Sequence, residues 1–193
     1  RIFGFHLKDT LLSVGLAEAL APGESTQIRL EYVLKLIDSD TLPQIRPYPL
    51  GYTDLQANFG DWYPFVPPYI EGEGWAAHPP AMFGEHLVYE VSDFDVTIHI
   101  EGETTDLVIA GGAPASAEGG IYRFEQSAGR SFSWSASPYY EVLTRTVDIE
   151  TAGPVTFASY HFPLQAEAAK SLLETMEAAY TLYTRIFGAA PGN

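Results

Sequence analysis

Cysteine is absent from the 193 residues, so disulfides and thiolate chemistry are excluded. Basic residues are scarce: 10 Lys+Arg stand against 25 Asp+Glu, for a formal charge of −15. A surface that acidic repels phosphate backbones and argues against nucleic acid as a partner, although a merely solvated surface accounts for the charge equally well. No apolar run approaches the ~20 residues that a bilayer-spanning helix needs, and Arg1-Ile2-Phe3-Gly4 is followed by no long apolar core of a signal peptide. The chain has no His-Glu-x-x-His, no Gly-x-Ser-x-Gly and no P-loop. Its glycine-rich Glu71-Gly72-Glu73-Gly74 carries the wrong charge to cradle a phosphate. The sequence therefore contains no self-sufficient active site.

What is present is a globular composition, 46% apolar with 13% aromatic, in a chain long enough to bury a core. The most regular stretch is Asp93 to Glu101. Its period of two places Phe94, Val96, Ile98 and Ile100 on one strand face, with Asp95, Thr97 and His99 on the other. Gln27 to Leu36 alternates as well, with Ile28, Leu30, Tyr32, Leu34 and Leu36 facing one way, and reads as a half-buried antiparallel strand. Further strands are expected over Ile2–Val14 (with a turn), Leu107–Ala110, Ile121–Glu125, Ser131–Ser135, Val142–Ile149 and Val155–Phe162, with a hairpin break at Gly119-Gly120.

Between Asp38 and Pro80 the alternation dissolves, and eight of the 14 prolines fall there. No central strand can run through Pro43, Pro47, Pro49, Pro64, Pro67 or Pro68, because proline lacks the ladder donor. The rings of Phe59, Trp62, Tyr63, Phe65, Tyr69 and Trp75 in this loop either pin it over a sheet or present a ligand platform.

After Pro163, apolar residues at Ala169, Leu172, Leu173, Met176, Tyr180, Tyr183 and Phe187 keep spacings of three and four. Glu167, Lys170, Glu174 and Glu177 lie opposite them, and Gly188 is a stop. The expected fold is mainly β: an antiparallel β-sandwich or saddle over residues 1–163, with a long Pro/aromatic loop at 38–86, then one amphipathic α-helix over 164–188.

Two weak constellations stand out. His78, Glu85 and His86 could hold a metal from loop positions, against plain surface roles. Asp93 and Asp95 share a strand face where a hard cation or an acid pair could sit, against a solvated outer face.

The order of these pieces resembles the aminopeptidase-N-like zinc metallopeptidases (the membrane alanyl aminopeptidase family), from their N-terminal β domain into the start of the catalytic domain. Leu20-Ala21-Pro22-Gly23-Glu24 is similar to the step that precedes an extended strand in that family. Asp61-Trp62-Tyr63-Pro64-Phe65 is similar to an aromatic-Pro-x-Phe segment, with Val66-Pro67-Pro68 where the family has Asp-x-Pro. Phe132-Ser133-Trp134-Ser135 resembles a later strand, and Tyr160-His161-Phe162-Pro163 with Tyr183-Thr184-Arg185-Ile186-Phe187-Gly188 resembles the lead-in to the catalytic domain.

The resemblance implies a noncatalytic piece of a longer peptide-bond hydrolase, covering the substrate cleft, whose zinc helix would follow Asn193. That the chain opens without methionine inside a strand-like pattern agrees with this expectation. The resemblance also implies that an N-domain glutamine or glutamate holds the substrate amine. Gln56 is the candidate by position, with the rings of Trp62 and Tyr63 beside it as candidate substrate contacts. No cofactor is expected in this segment, and zinc belongs to the parent alone. The expected partners are the catalytic domain, the parent's peptide substrate and, through the C-terminal helix, a second copy. An alternative class is a carbohydrate-binding or adhesion β-sandwich with Trp62, Tyr69 and Trp75 as a stacking platform.

Overall fold

The computed structural model describes residues 2–42, 49–78, 88–102, 106–112 and 116–188. Along the chain run β1 (Ile2–Lys8), β2 (Leu11–Leu16), β3 (Leu50–Tyr52), β4 (Ala57–Phe59), β5 (Tyr69–Ile70), β6 (Gly74–Trp75) and β7 (Ser92–His99). Then follow β8 (Val108–Ala110), β9 (Ser116–Glu118), β10 (Ile121–Gly129), β11 (Trp134–Ser137), β12 (Glu141–Ile149), β13 (Gly153–His161) and α1 (Ala166–Phe187). The protein is mainly β, every ladder between these strands is antiparallel, and one helix closes the described chain. It divides into two compact units, one from Arg1–Lys35 with Phe65–Glu90, the other from Leu36–Pro64 with Val91–Asn193.

In the larger unit, β7-β10-β9 forms one sheet and β3-β4-β11-β8 another. Both contribute to a single core of Val96, Ile98, Ile109, Phe124, Phe132 and Ala136, with Phe94 and Ile100 partly buried beside it. The alternation of Phe94 to Ile100 is thus a core face, as its period of two predicts. Gly119 and Gly120, both at positive φ, close the two-residue β9–β10 hairpin that the Gly-Gly pair announces.

This unit also holds a hairpin and the helix. β12 and β13 pair from Glu141↔His161 to Ile149↔Gly153, so their odd-numbered residues share a face. On that face Ile149 and Phe157 meet Leu173 of α1, with Leu143, Val147, Val155, Met176 and Tyr180 around them. Arg145 reaches from the same face to Glu177 on the helix at 2.9 Å. A 3₁₀ turn at Pro163–Gln165 leads into α1, and Gly188 ends it with φ 87° and an N–H donated to the Thr184 carbonyl.

The smaller unit contains two ribbons, β1–β2 and β5–β6. The first turns at Asp9, whose φ is +53°. The second turns tightly at Glu71–Glu73, with Gly72 at φ 83°. Gln27 to Leu36 corrects an expectation: it joins no ladder among the described residues. Alternation fixes which side chains share a face, but a strand also needs a neighbour to take its backbone hydrogen bonds. The expected strand at Ser131–Ser135 is also displaced, to Trp134–Ser137, where β4 and β8 supply the pairing. Among the described prolines of the long loop, Pro49, Pro64, Pro67 and Pro68 stay out of strands, while Pro43 and Pro47 lie outside the described residues.

Candidate functional site

The loop Thr53–Gln56 joins β3 to β4 and builds its own turn. The Thr53 hydroxyl accepts from the N–H groups of Leu55 and Gln56, at 3.2 and 3.3 Å, and the Thr53 N–H donates to the Gln56 carbonyl at 2.8 Å. Ser137, fully buried at the end of β11, donates its hydroxyl to the Leu55 carbonyl at 2.6 Å and accepts from the Tyr139 N–H at 3.0 Å. The Ser137 hydroxyl therefore ties the loop to the end of β11.

Gln56 is fixed further. The Tyr140 hydroxyl donates to its Oε1 at 2.6 Å, and Ser135 Oγ lies 3.1 Å from the same phenol oxygen. Gln56 keeps an amide NH₂ and a second oxygen lone pair for another partner. It sits on the rim of an open cleft of about 340 Å³. Leu55, Phe59, Ile100, Leu107, Trp134 and Ala136 give this cleft apolar walls, and Thr53 and the exposed Asp54 share the rim with Gln56. Phe59 and Trp134 stack face to face at 3.7 Å, which stiffens one wall. Trp134 Nε1 is buried and has no acceptor among the described residues. An arrangement of this kind suits a small ligand with an apolar body and a polar or cationic end.

Trp62 and Tyr63 do something else. The Trp62 indole donates to the Phe132 carbonyl at 3.1 Å, and the Phe132 N–H donates to the Tyr63 hydroxyl at 3.3 Å. The two rings thus satisfy both backbone groups of one core residue, and Tyr63 packs edge-on against Phe94 at 5.7 Å. Burial pushes the Tyr63 phenol above its ordinary 10.0, the bond from Phe132 opposes that, and the nearby Asp61 charge adds to it. Sequence reasoning grouped Gln56, Trp62 and Tyr63. The structure puts Gln56 on the cleft and commits the two rings to Phe132. It adds Asp54, two residues before Gln56 in the same loop, and Phe59 with Trp134, which the β4–β11 ladder sets opposite each other.

Of the proposed stacking platform, Tyr69 and Trp75 are 64% and 61% exposed on the β5–β6 ribbon, edge to face with an interplanar angle of 76°. Trp62 lies in the larger unit, packed against that unit's own core. Asp95 is engaged by Arg123 through two bonds of 3.1 and 2.8 Å, and Asp93 accepts from the N–H of Ala128, whose φ of +52° marks the β10 bulge. These carboxylates are the solvated outer face rather than an acid pair. Of the metal candidates, His78 is exposed, while Glu85 and His86 lie outside the described residues. Among the described residues no three histidine, aspartate or glutamate side chains gather closely enough to hold a metal ion.

No protein-family model matches the chain, and neither the curated proteins nor the solved structures contain a significant match to it.

Proposed function

We propose that this chain is a noncatalytic β portion of an aminopeptidase-N-like zinc metallopeptidase, and that its cleft receives the amino-terminal end of a peptide. The observation that carries the reading is Gln56, braced by Tyr140 on the rim of an apolar cleft with Asp54 beside it. The apolar walls would take the first side chain, while the Gln56 amide and the Asp54 carboxylate would meet the α-ammonium group. Peptide-bond hydrolysis belongs to the parent.

The test is a titration of the chain with leucinamide, followed by the fluorescence of Trp134 in a variant whose other tryptophans are replaced by phenylalanine. Binding should be saturable, and Gln56→Ala should weaken it by roughly tenfold, the range of one charge-assisted hydrogen bond. N-acetylated leucinamide binding equally well would remove the amine site from the reading. Zinc-dependent turnover of aminoacyl anilides that survived repurification would overturn its noncatalytic half.

A carbohydrate-binding β module remains as a second reading, favoured by the exposure of Tyr69 and Trp75. Affinity electrophoresis on polysaccharide gels tests it, and unchanged migration in every gel would end it.

A further inference from the structure

Gln27–Lys35 has the pattern of a strand and joins no ladder among the described residues. Ile28, Leu30, Tyr32 and Leu34 are 39–47% exposed, whereas Val33 on the other side is 95% exposed, so the alternation persists as a difference in burial. None of these residues has a positive φ. Backbone groups outside a ladder in such a segment are a ready template for another strand.

We propose that Gln27–Lys35 pairs antiparallel with the same segment of a second copy, about a two-fold axis at Leu30. The charges select both the partner and the register. An antiparallel pair centred on Leu30 sets Arg29 opposite Glu31 of the second copy, twice by symmetry. Ile28 then faces Tyr32 and Leu30 faces Leu30, which joins the two apolar faces. A pair centred on Glu31 would oppose two glutamates, and one centred on Tyr32 would oppose Arg29 to Lys35. Both place like charges within cross-strand reach. Within one copy, Arg29 and Glu31 already touch at 2.7 Å, but at 86% and 78% exposure that pair contributes little and re-forms across the interface at small cost.

Sedimentation and concentration-dependent amide exchange of the full chain test this. A dimer is expected, with the amides of 27–35 gaining protection as concentration rises. Arg29→Glu and Glu31→Arg should each weaken the dimer by about tenfold or more, since each places like charges opposite one another twice. The double variant R29E/E31R should restore it, and Lys35→Glu should leave it unchanged. A rival register centred on Val33, pairing Glu31 with Lys35, would instead fail with Lys35→Glu, and that result would overturn the axis at Leu30. A strict monomer at every concentration would overturn the pairing. So would a dimer indifferent to both single reversals, including one lost on Ile186→Asp, which would lie on the outer face of α1. All these substitutions are at exposed side chains, and circular dichroism checks that each variant folds. The exchange profile of the unaltered chain decides the matter without them.

Discussion

Phe132 shows how much a single residue can organise. It is 3% exposed, packs near Phe94 and Phe124, and has both backbone groups satisfied by Trp62 and Tyr63. Truncating Phe132 to alanine should cost about 3–5 kcal/mol in urea unfolding, because the cavity adds to the lost transfer energy. Tyr63→Phe should cost less, about 1–3 kcal/mol, since it strands one part-buried N–H. Tyr63 and Tyr160 also predict an alkaline limit. Burial raises both phenols above 10.0, so the folded state holds their protons more tightly than the unfolded chain. The stability they contribute is complete below pH 10 and is lost as pH climbs through their folded values. The urea midpoint should therefore decline above pH 10, and less so in a Tyr63→Phe, Tyr160→Phe double variant. A midpoint that rose with pH in that range would contradict the burial argument.

At the scale of elements, α1 was legible in advance because its spacing, its proline lead-in and its glycine stop all agree. What spacing could not say is which part of its broad apolar surface meets the sheet. Leu173 is 3% exposed against Ile149 and Phe157, while its neighbour Leu172 is 50% exposed. Leu173→Ala should therefore cost about 2–5 kcal/mol and Leu172→Ala under about 1 kcal/mol, as read by thermal or urea unfolding. Equal losses at the two positions would place the helix in a different rotation. Gly188→Ala should cost about 1 kcal/mol, because only glycine takes its positive φ without strain. Gln27–Lys35 is the opposite case, where the pattern is as regular as in β7 but no ladder forms. β7 has β10 to pair with across seven register positions, from Ile121↔His99 to Gly129↔Ser92.

At the scale of the whole molecule, two sheets enclose one core and a helix-backed hairpin encloses another, both within the larger unit. The cleft at Gln56 belongs to that unit, and its walls come from the β3–β4 loop, the end of β7, the approach to β8, and β11. Such a site assembles only when the sheet forms. Leucinamide should thus raise the unfolding midpoint in proportion to the logarithm of its concentration above its Kd. Gln56→Ala should lower that stabilisation by about 1.4 kcal/mol at saturating leucinamide, the equivalent of its tenfold weaker binding, while leaving the unliganded midpoint nearly unchanged, because its partner Tyr140 keeps Ser135.

The amino-acid order by itself determined the local terms: the β7 core face, the Gly119-Gly120 turn, the exclusion of strands at the described loop prolines, and the helix with its stop. Each follows from side-chain period or backbone freedom within a few residues. Tertiary structure decided whatever depended on a distant neighbour. It drew Trp62 and Tyr63 to Phe132, some seventy positions away, and braced Gln56 with Tyr140. It also withheld a ladder from Gln27–Lys35. The physical reason is the same throughout: hydrogen-bond valence and apolar faces are written locally, but the partner that satisfies them is chosen by packing of the whole chain.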